Sequence, residues 1–313
     1  LGRCAMLRNA AFTEFRQNSM AHAQELLRAE DLGYRPVSSL PLPPWRPPPV
    51  RPYYVPRDAT GMGPVCPFAL AAPDPEASAL PLVFETYAEP MASMDECSMV
   101  VDEARAHIAS GGVGATFSYT ETSRNIAVHS LPRTQQWLNS CLLPRVSALA
   151  GMCFGEAAIG DLRRLRIYRA LVVQYDAAAG LTHQEMHRDH SLLTCVITLN
   201  DRSQYRGGGT MIEALGQAFA PDRGHALVAA SALRHAGHTI EAGERWVMVL
   251  FLACEDMRYG ENVRHFVGRA TGRLMEGDRQ GAAHFLSLAR AMCDDCDPQL
   301  RAGLPPEAMS ATS

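Results

Sequence analysis

The sequence predicts an α+β fold in which helices accompany an antiparallel β-sandwich or jelly roll, and three observations carry that expectation. Apolar residues recur at helical spacing in two segments before residue 150. Beyond residue 165 the period changes to short apolar or alternating runs separated by turn signals. Helices come first and strands follow, instead of alternating with them, which points away from a parallel α/β sheet.

Taken in order, the chain opens on a helix from Ala10 to Glu30 with Gln, Glu and Arg on one side. Residues 39–56, SLPLPPWRPPPVRPYYVP, hold prolines that can form neither helix nor central strand, so an extended polyproline II arm is expected. It acts as a linker or an arm packed on a neighbouring surface, or presents P-x-x-P to an aromatic-lined groove of a partner. Met94 to Ser110 places Asp95 and Glu96 early and Met99, Val100, Ala104 and Ile108 near helical spacing, with Gly111 and Gly112 to end it. A second helix is expected from Thr134 to Ala150, led by Pro132 and carrying Trp137, Leu138, Leu142 and Val146 on one side. Strands are then expected at LRIYRALVVQYD, LLTCVITLN, TMIEAL, HALVAAS and RWVMVLFLA, separated at Ala179-Gly180, at Gly207 to Gly209, at Pro221-Asp222 and at Ala242-Gly243. Residues 261–303 return to helix. The domain reading is an N-terminal helix and Pro-rich arm over 1–81, a folded domain over 82–255 and a helical extension over 256–313.

Composition removes several classes of function. A net charge of −4 argues against a nucleic-acid partner, which calls for a basic face. Every one of the 29 basic residues is Arg, so Schiff-base and pyridoxal phosphate chemistry are excluded and an anion anchor must be Arg, His or backbone. Nine cysteines, an odd number, fit reduced thiols better than a disulfide framework, and Cys293-x-x-Cys296 has no second pair at zinc-ribbon spacing. No apolar run reaches the roughly 18 residues that a membrane span needs. Leu1 in place of Met suggests a fragment or processed chain; with no targeting signal visible, a soluble, cytoplasmic protein is the default expectation.

Two segments carry chemistry. His187-Arg188-Asp189 opens an apolar run, and His235 precedes Arg245 by ten residues. Residues two apart in a strand face one side, so His187 and Asp189 can aim at one point. His235 lies 48 residues on, enough chain to return to the same end of a barrel. Two imidazoles and a carboxylate form a ligand set that holds iron on one face and leaves positions open. Arg245 shares its strand face with Val247, Val249 and Phe251, where no acidic residue alternates with it, and a guanidinium there needs an anionic ligand.

The run YDAAAGLTHQEMHRDHSLLTCVITLN, then YRGGGTMIEAL, then GHALVAASALRHAGHTIEAGERWVMVLFL resembles the prolyl 4-hydroxylase type of 2-oxoglutarate- and Fe(II)-dependent dioxygenases over about residues 82–255. The resemblance rests on His-x-Asp before a strand ending in Leu-Asn, a Gly-rich turn, and His235 standing eight residues before Gly243 and ten before Arg245. It implies a double-stranded β-helix in which His187, Asp189 and His235 bind Fe(II) and Arg245 holds the distal carboxylate of 2-oxoglutarate. Tyr175 and Thr194 are implied as further hydrogen-bonding groups for that carboxylate. It also implies O2 as cosubstrate, succinate and CO2 as products, ascorbate as reductant, and a prolyl or lysyl residue of a polypeptide, or a small molecule, as substrate. His183, His190 and His238 compete for the ligand positions, with a hydrogen-bonded structural role as the plainer reading of each, and His225 is expected to cap or pack. A non-catalytic interaction scaffold, and a cupin-like metalloenzyme that does not use 2-oxoglutarate, stay open as alternatives.

Overall fold

A computed structural model describes residues 33–34, 45–57, 77–112, 114, 121–159, 162, 165–189, 191–231, 233–254 and 277–281. The expected N-terminal helix, residues 39–44, His190, the Cys293-x-x-Cys296 pair and nearly all of the expected C-terminal helices lie outside the described residues.

Eleven described strands form the β part: β1 Val50–Pro56, β2 Ala79–Thr86, β3 Arg124–Ala127, β4 Leu165–Asp176, β5 Leu193–Thr198, β6 Tyr205–Gly207, β7 Thr210–Ile212, β8 Gln217–Phe219, β9 Ala226–Ala230, β10 His235–Gly237 and β11 Ile240–Cys254. The larger sheet runs β1-β2-β9-β5-β11-β4-β3, with β6 added to β11, and the smaller runs β10-β7-β8. An isolated antiparallel bridge between His187 and His235 extends the smaller sheet beyond β10. From β4 onward the chain alternates between sheets. It passes from β4 to the bridge at His187, back to β5, across to β7 and β8, back to β9, across to β10 and home to β11. This winding is a double-stranded β-helix, the jelly-roll architecture expected from the sequence.

Among the described residues four α-helices precede the winding. α1 Met94–Ala109 begins with a capping box between Ser93 and Glu96 and ends before Gly111, which takes φ +78°. α2 Pro132–Trp137 has proline at its first turn, and the Glu103 carboxylate of α1 accepts the orphan amides of Arg133 and Thr134 at 2.9 and 2.7 Å. A five-residue π turn, Leu138–Leu142, joins α2 to α3 Leu143–Phe154, so the expected single helix over 134–150 is one helical run with a wide turn inside it. The short α4, Glu156–Ile159, follows.

Register defines which face of the larger sheet looks inward. Arg245 pairs with Tyr175 and Val247 with Val173 across β4, while Val247 pairs with Thr198, Val249 with Val196 and Phe251 with Thr194 across β5. Directly opposed residues share a face, so these side chains line the interior between the two sheets. The intervening Trp246, Met248, Leu250 and Leu252 are fully buried on the other face, where the Arg105 guanidinium of α1 lies 5.6 Å from the Trp246 ring. Burial on both faces explains why β11 reads as a continuous apolar run. The inner face is the more open one: Val196, Ala229 and Val249 are only half-buried, while their strand neighbours are nearly all buried.

The Pro-rich segment departs from expectation. Residues 50–56 are not polyproline II but β1, a strand paired along its length with β2. The reason is position: β1 is the edge of the sheet, and an edge strand tolerates Pro52 and Pro56 because its outer side requires no amide donor. The main sheet thus begins N-terminal to the boundary expected near residue 82. Among the described residues no helix is long and apolar enough to cross a membrane.

Candidate metal centre

The bridge that joins the His187 segment to β10 also builds the centre. His187 and His235 exchange backbone hydrogen bonds at 2.8 and 2.9 Å, which places their rings on one side with centroids 4.5 Å apart. Asp189, two residues on, is fixed by its own amide donating to the Ser231 carbonyl. The ligand atoms of His187, Asp189 and His235 all lie within 4.8 Å of one another. His187 Nε2 stands 3.4 Å from Asp189 Oδ1 and His235 Nε2 3.2 Å from Asp189 Oδ2.

Both imidazoles are oriented from behind. His187 Nδ1 lies 2.6 Å from the Glu185 carbonyl and His235 Nδ1 3.0 Å from the Leu233 carbonyl. A carbonyl only accepts, so each Nδ1 carries a proton, and each Nε2 faces the shared point, where it gives a lone pair to a metal once its own proton is displaced. This is the tautomer that a metal requires. Burial alone would raise the pKa of Asp189, but the adjacent imidazoles of His235 and His187 hold its carboxylate well below the usual range. Burial would lower the pKa of His235, and the Asp189 carboxylate outweighs it and raises that value. The triad is thus a buried carboxylate flanked by two cation-accepting nitrogens, which is the donor set that suits Fe(II).

Thr194 proves to belong to this centre and not to the Arg245 end of the barrel. Its hydroxyl lies 2.5 Å from Asp189 Oδ2, a charge-assisted contact in which the carboxylate can only accept. Ser231 Oγ lies 2.9 Å from Thr194 Oγ1, and Ser191 Oγ lies 2.6 Å from Ser231 Oγ. Since Thr194 gives its one proton to Asp189, the chain of donation runs Ser191 to Ser231 to Thr194 to Asp189, each bond polarising the next. In this structure the one Thr194 donor goes to Asp189, which leaves it no free proton for the role at the 2-oxoglutarate carboxylate that the resemblance implies. Thr194→Val is expected to weaken Mn(II) binding by roughly 10–100-fold, the usual cost of losing a partner behind a metal ligand, and to leave 2-oxoglutarate affinity of the metal-loaded protein unchanged. Titration followed by the Mn(II) electron paramagnetic resonance signal reads the first, and the opposite pattern would return Thr194 to the cosubstrate.

Arg245 sits deeper in the same interior, 1% exposed. The Asn200 side chain holds the backbone on both sides of it, donating to the Glu244 carbonyl at 2.8 Å and accepting from the Trp246 amide at 2.7 Å. Its guanidinium lies 5.3 Å from the Tyr175 ring centroid, yet Nε and Nη2 have no hydrogen-bond partner among the described residues. Burial pushes the Tyr175 hydroxyl above its ordinary pKa against the opposing charge and hydrogen bond of Arg245, so it stays protonated. Tyr175 reaches across to the smaller sheet, where Gly237 makes room: a Cβ there would meet the Tyr175 hydroxyl at 2.4 Å. Gly237 lies two residues beyond His235, so one short strand serves both the triad and the packing of Tyr175 beside Arg245.

The competing histidines fall away from the centre. His183 turns to Glu185 at 3.2 Å, His225 packs on Thr86 at 3.3 Å, and His238 is exposed just past β10. Cys97, Cys141, Cys153 and Cys195 are free thiols; burial pushes Cys97 up to about 11 and Cys153 up to about 12. Ser191, Ser231, Gly237 and Thr198 went unpredicted. The last alone had a sequence signal, since it alternates with Thr194 and Val196 on the inner face of β5.

No family model and no curated protein matches the chain. Among solved structures it is similar to a viral collagen prolyl hydroxylase from Paramecium Bursaria Chlorella virus-1, with 14% identity over 53% of this chain and 93% of that one and a TM-score of 0.34. It is similar to SnoN, a non-heme alpha ketoglutarate dependent epimerase from nogalamycin biosynthesis, with 16% identity, 55% and 78% coverage and a TM-score of 0.42. A prolyl-4-hydroxylase from Pseudomonas putida gives 15% identity, 53% and 90% coverage and a TM-score of 0.39. What the centre does chemically is read from its own atoms.

Proposed function

We propose that this chain is an Fe(II)- and 2-oxoglutarate-dependent oxygenase that hydroxylates an unactivated C–H bond. The observation that carries the reading is the pairing of two unmet demands in one interior. A preorganised 2-His-1-carboxylate triad awaits a cation, and a buried guanidinium with two unpartnered nitrogens awaits an anion. A dicarboxylic keto acid answers both, because one end chelates a metal and the other offers a carboxylate to the fork of Arg245.

His187 Nε2, His235 Nε2 and one oxygen of Asp189 would hold the ion on one face. Bound Fe(II), together with 2-oxoglutarate and O2, supplies the oxidising power for hydroxylation, with succinate and CO2 released. The protein contributes orientation and exclusion of water. The Glu185 and Leu233 carbonyls fix the imidazole rings, Thr194 braces Asp189, and Val173, Val196, Val247 and Val249 keep the path between metal and Arg245 apolar. Substrate would approach over the half-buried Val196, Ala229 and Val249. We assign a prolyl or lysyl residue of a polypeptide as the substrate to test first, with ascorbate as the reductant that restores Fe(II).

The test is anaerobic mixing of the purified chain with Fe(II) and 2-oxoglutarate, where a weak visible charge-transfer band is expected, followed by O2 and measurement of succinate. Mass spectrometry of prolyl and lysyl peptides should then show a gain of one oxygen. A band without succinate would favour a metalloenzyme of another kind, and absence of both would overturn the reading.

A further inference from the structure

Tyr205 carries a hydroxyl that the mechanism above does not use. The residue is 7% exposed, and its Oη has no hydrogen-bond partner among the described residues. An unpaired buried hydroxyl is destabilising. Its position in the fold is informative. Tyr205 on β6 pairs with Gly243 of β11, two residues before Arg245. The Arg202 guanidinium lies 4.9 Å from the ring centroid.

Gly208 reveals how close Tyr205 and Arg245 come. A Cβ built on Gly208 would meet Arg245 Cδ at 3.1 Å and Tyr205 Cε2 at 3.2 Å, so the two side chains border the same small space above a glycine at φ +72°. Arg245 Nε is one bond from that Cδ, and the Tyr205 hydroxyl is two bonds from that Cε2. Two of the few polar atoms left unsatisfied in the described interior thus hang from carbons that converge over one glycine. Neither satisfies the other, and both can donate.

We infer that the Tyr205 hydroxyl is a ligand-binding group: together with Arg245 Nε and Nη2 it receives the distal carboxylate of a dicarboxylic keto acid. The inference rests on the oxygenase reading and adds to it the group that completes the anion's coordination. A carboxylate has two oxygens and about four acceptor positions, so it accommodates the guanidinium fork and a phenolic donor at once. The triplet of glycines that follows Tyr205 is what allows the approach. Gly207 and Gly209 also take positive φ, and a Cβ at either would meet the Thr239 or Phe219 carbonyl below 3 Å. The turn is therefore shaped by close backbone packing on both sides of the one glycine that clears the anchor.

The test is calorimetric titration of Fe(II)-loaded protein under anaerobic conditions with 2-oxoglutarate and with 2-oxobutyrate, which keeps the chelating end and lacks the distal carboxylate. Tyr205→Phe keeps the ring and removes only the oxygen. It is expected to raise the Kd for 2-oxoglutarate roughly tenfold or more, the usual cost of one hydrogen bond to a charged group, while 2-oxobutyrate binding stays as in the unmodified protein and the ligand-free melting temperature is equal or higher, since an unpaired buried hydroxyl has been removed. Unchanged 2-oxoglutarate affinity, or equal losses for both keto acids, would overturn the role of Tyr205. Arg245→Leu distinguishes this from failure of the wider reading: if it too binds 2-oxoglutarate normally, the oxygenase assignment falls with it.

Discussion

Arg245→Leu is expected to abolish measurable 2-oxoglutarate binding, with at least a hundredfold rise in Kd, and at the same time to raise the melting temperature of the ligand-free protein. The first effect follows from the loss of a bidentate, charge-assisted contact worth several kcal/mol in a dry interior. The second follows from the cost of the guanidinium itself. At 1% exposure, with Nε and Nη2 unpartnered among the described residues, the charge is held against a desolvation penalty that an anionic ligand would offset. Leucine fits the surroundings of Val173, Val247 and Ile240 without that penalty. Replacing buried charges by apolar side chains is typically neutral or stabilising by about 1–4 kcal/mol. The contact with the Tyr175 ring offsets part of this, by roughly 0.5–2 kcal/mol. Each remaining kcal/mol corresponds to about 2–4 °C. Thermal melts with and without 2-oxoglutarate read both effects at once. A ligand-free variant that melts well below the parent would mean that Arg245 is a structural residue with a partner of its own.

The same logic separates what the sequence discloses from what it hides. His-x-Asp and the ten-residue interval from His235 to Arg245 are legible because strand alternation converts spacing into a shared face. The long strands β4, β5, β9 and β11 are legible for the same reason. The strands β6, β7, β8 and β10 have three residues each, too few to show a period, so of the smaller sheet only β7, within TMIEAL, is legible as a strand. β1 is hidden by its prolines, which rule out a central strand but not an edge. Thr194 illustrates a different limit. Alternation puts it on the inner face with Thr198, yet only the winding of the chain tells which end of the interior it reaches, and that end is Asp189. Ser231 lies 40 residues from Ser191 and joins it at 2.6 Å, a pairing that no local pattern encodes. Unsatisfied groups such as the Tyr205 hydroxyl are illegible in principle, because they are defined by what fails to surround them.

The arrangement also explains why the two ends of the interior remain distinct although a few residues serve both. β10 supplies His235 to the metal and, through the missing side chain of Gly237, space for Tyr175. β11 supplies Arg245, braced by Asn200, and it is paired with β5, whose Thr194 braces Asp189. The triad and Arg245 are thus held by neighbouring strands of one hydrogen-bonded frame, and under the proposed function a substitution at one is expected to leave the other in place.

That independence makes His235→Ala the complementary experiment. Loss of one of three ligands is expected to weaken Mn(II) or Fe(II) binding by well over the roughly 10–100-fold that outer partners contribute, and to eliminate the charge-transfer band. The variant leaves Asp189 with His187 at 3.4 Å and Thr194 at 2.5 Å, so the carboxylate keeps one imidazole and one donor and the protein should still fold. His238 cannot take over. It lies an odd number of residues from His235, just beyond β10, so strand alternation directs it away from Asp189; it is exposed, and its amide is tied to the Gly209 carbonyl at 3.0 Å. His238→Ala should therefore bind metal like the parent chain. A band that survives in His235→Ala and vanishes in His238→Ala would transfer the third ligand to His238 and, with it, require β10 to shift by one residue, turning Gly237 away from Tyr175 and breaking the link between metal and anchor.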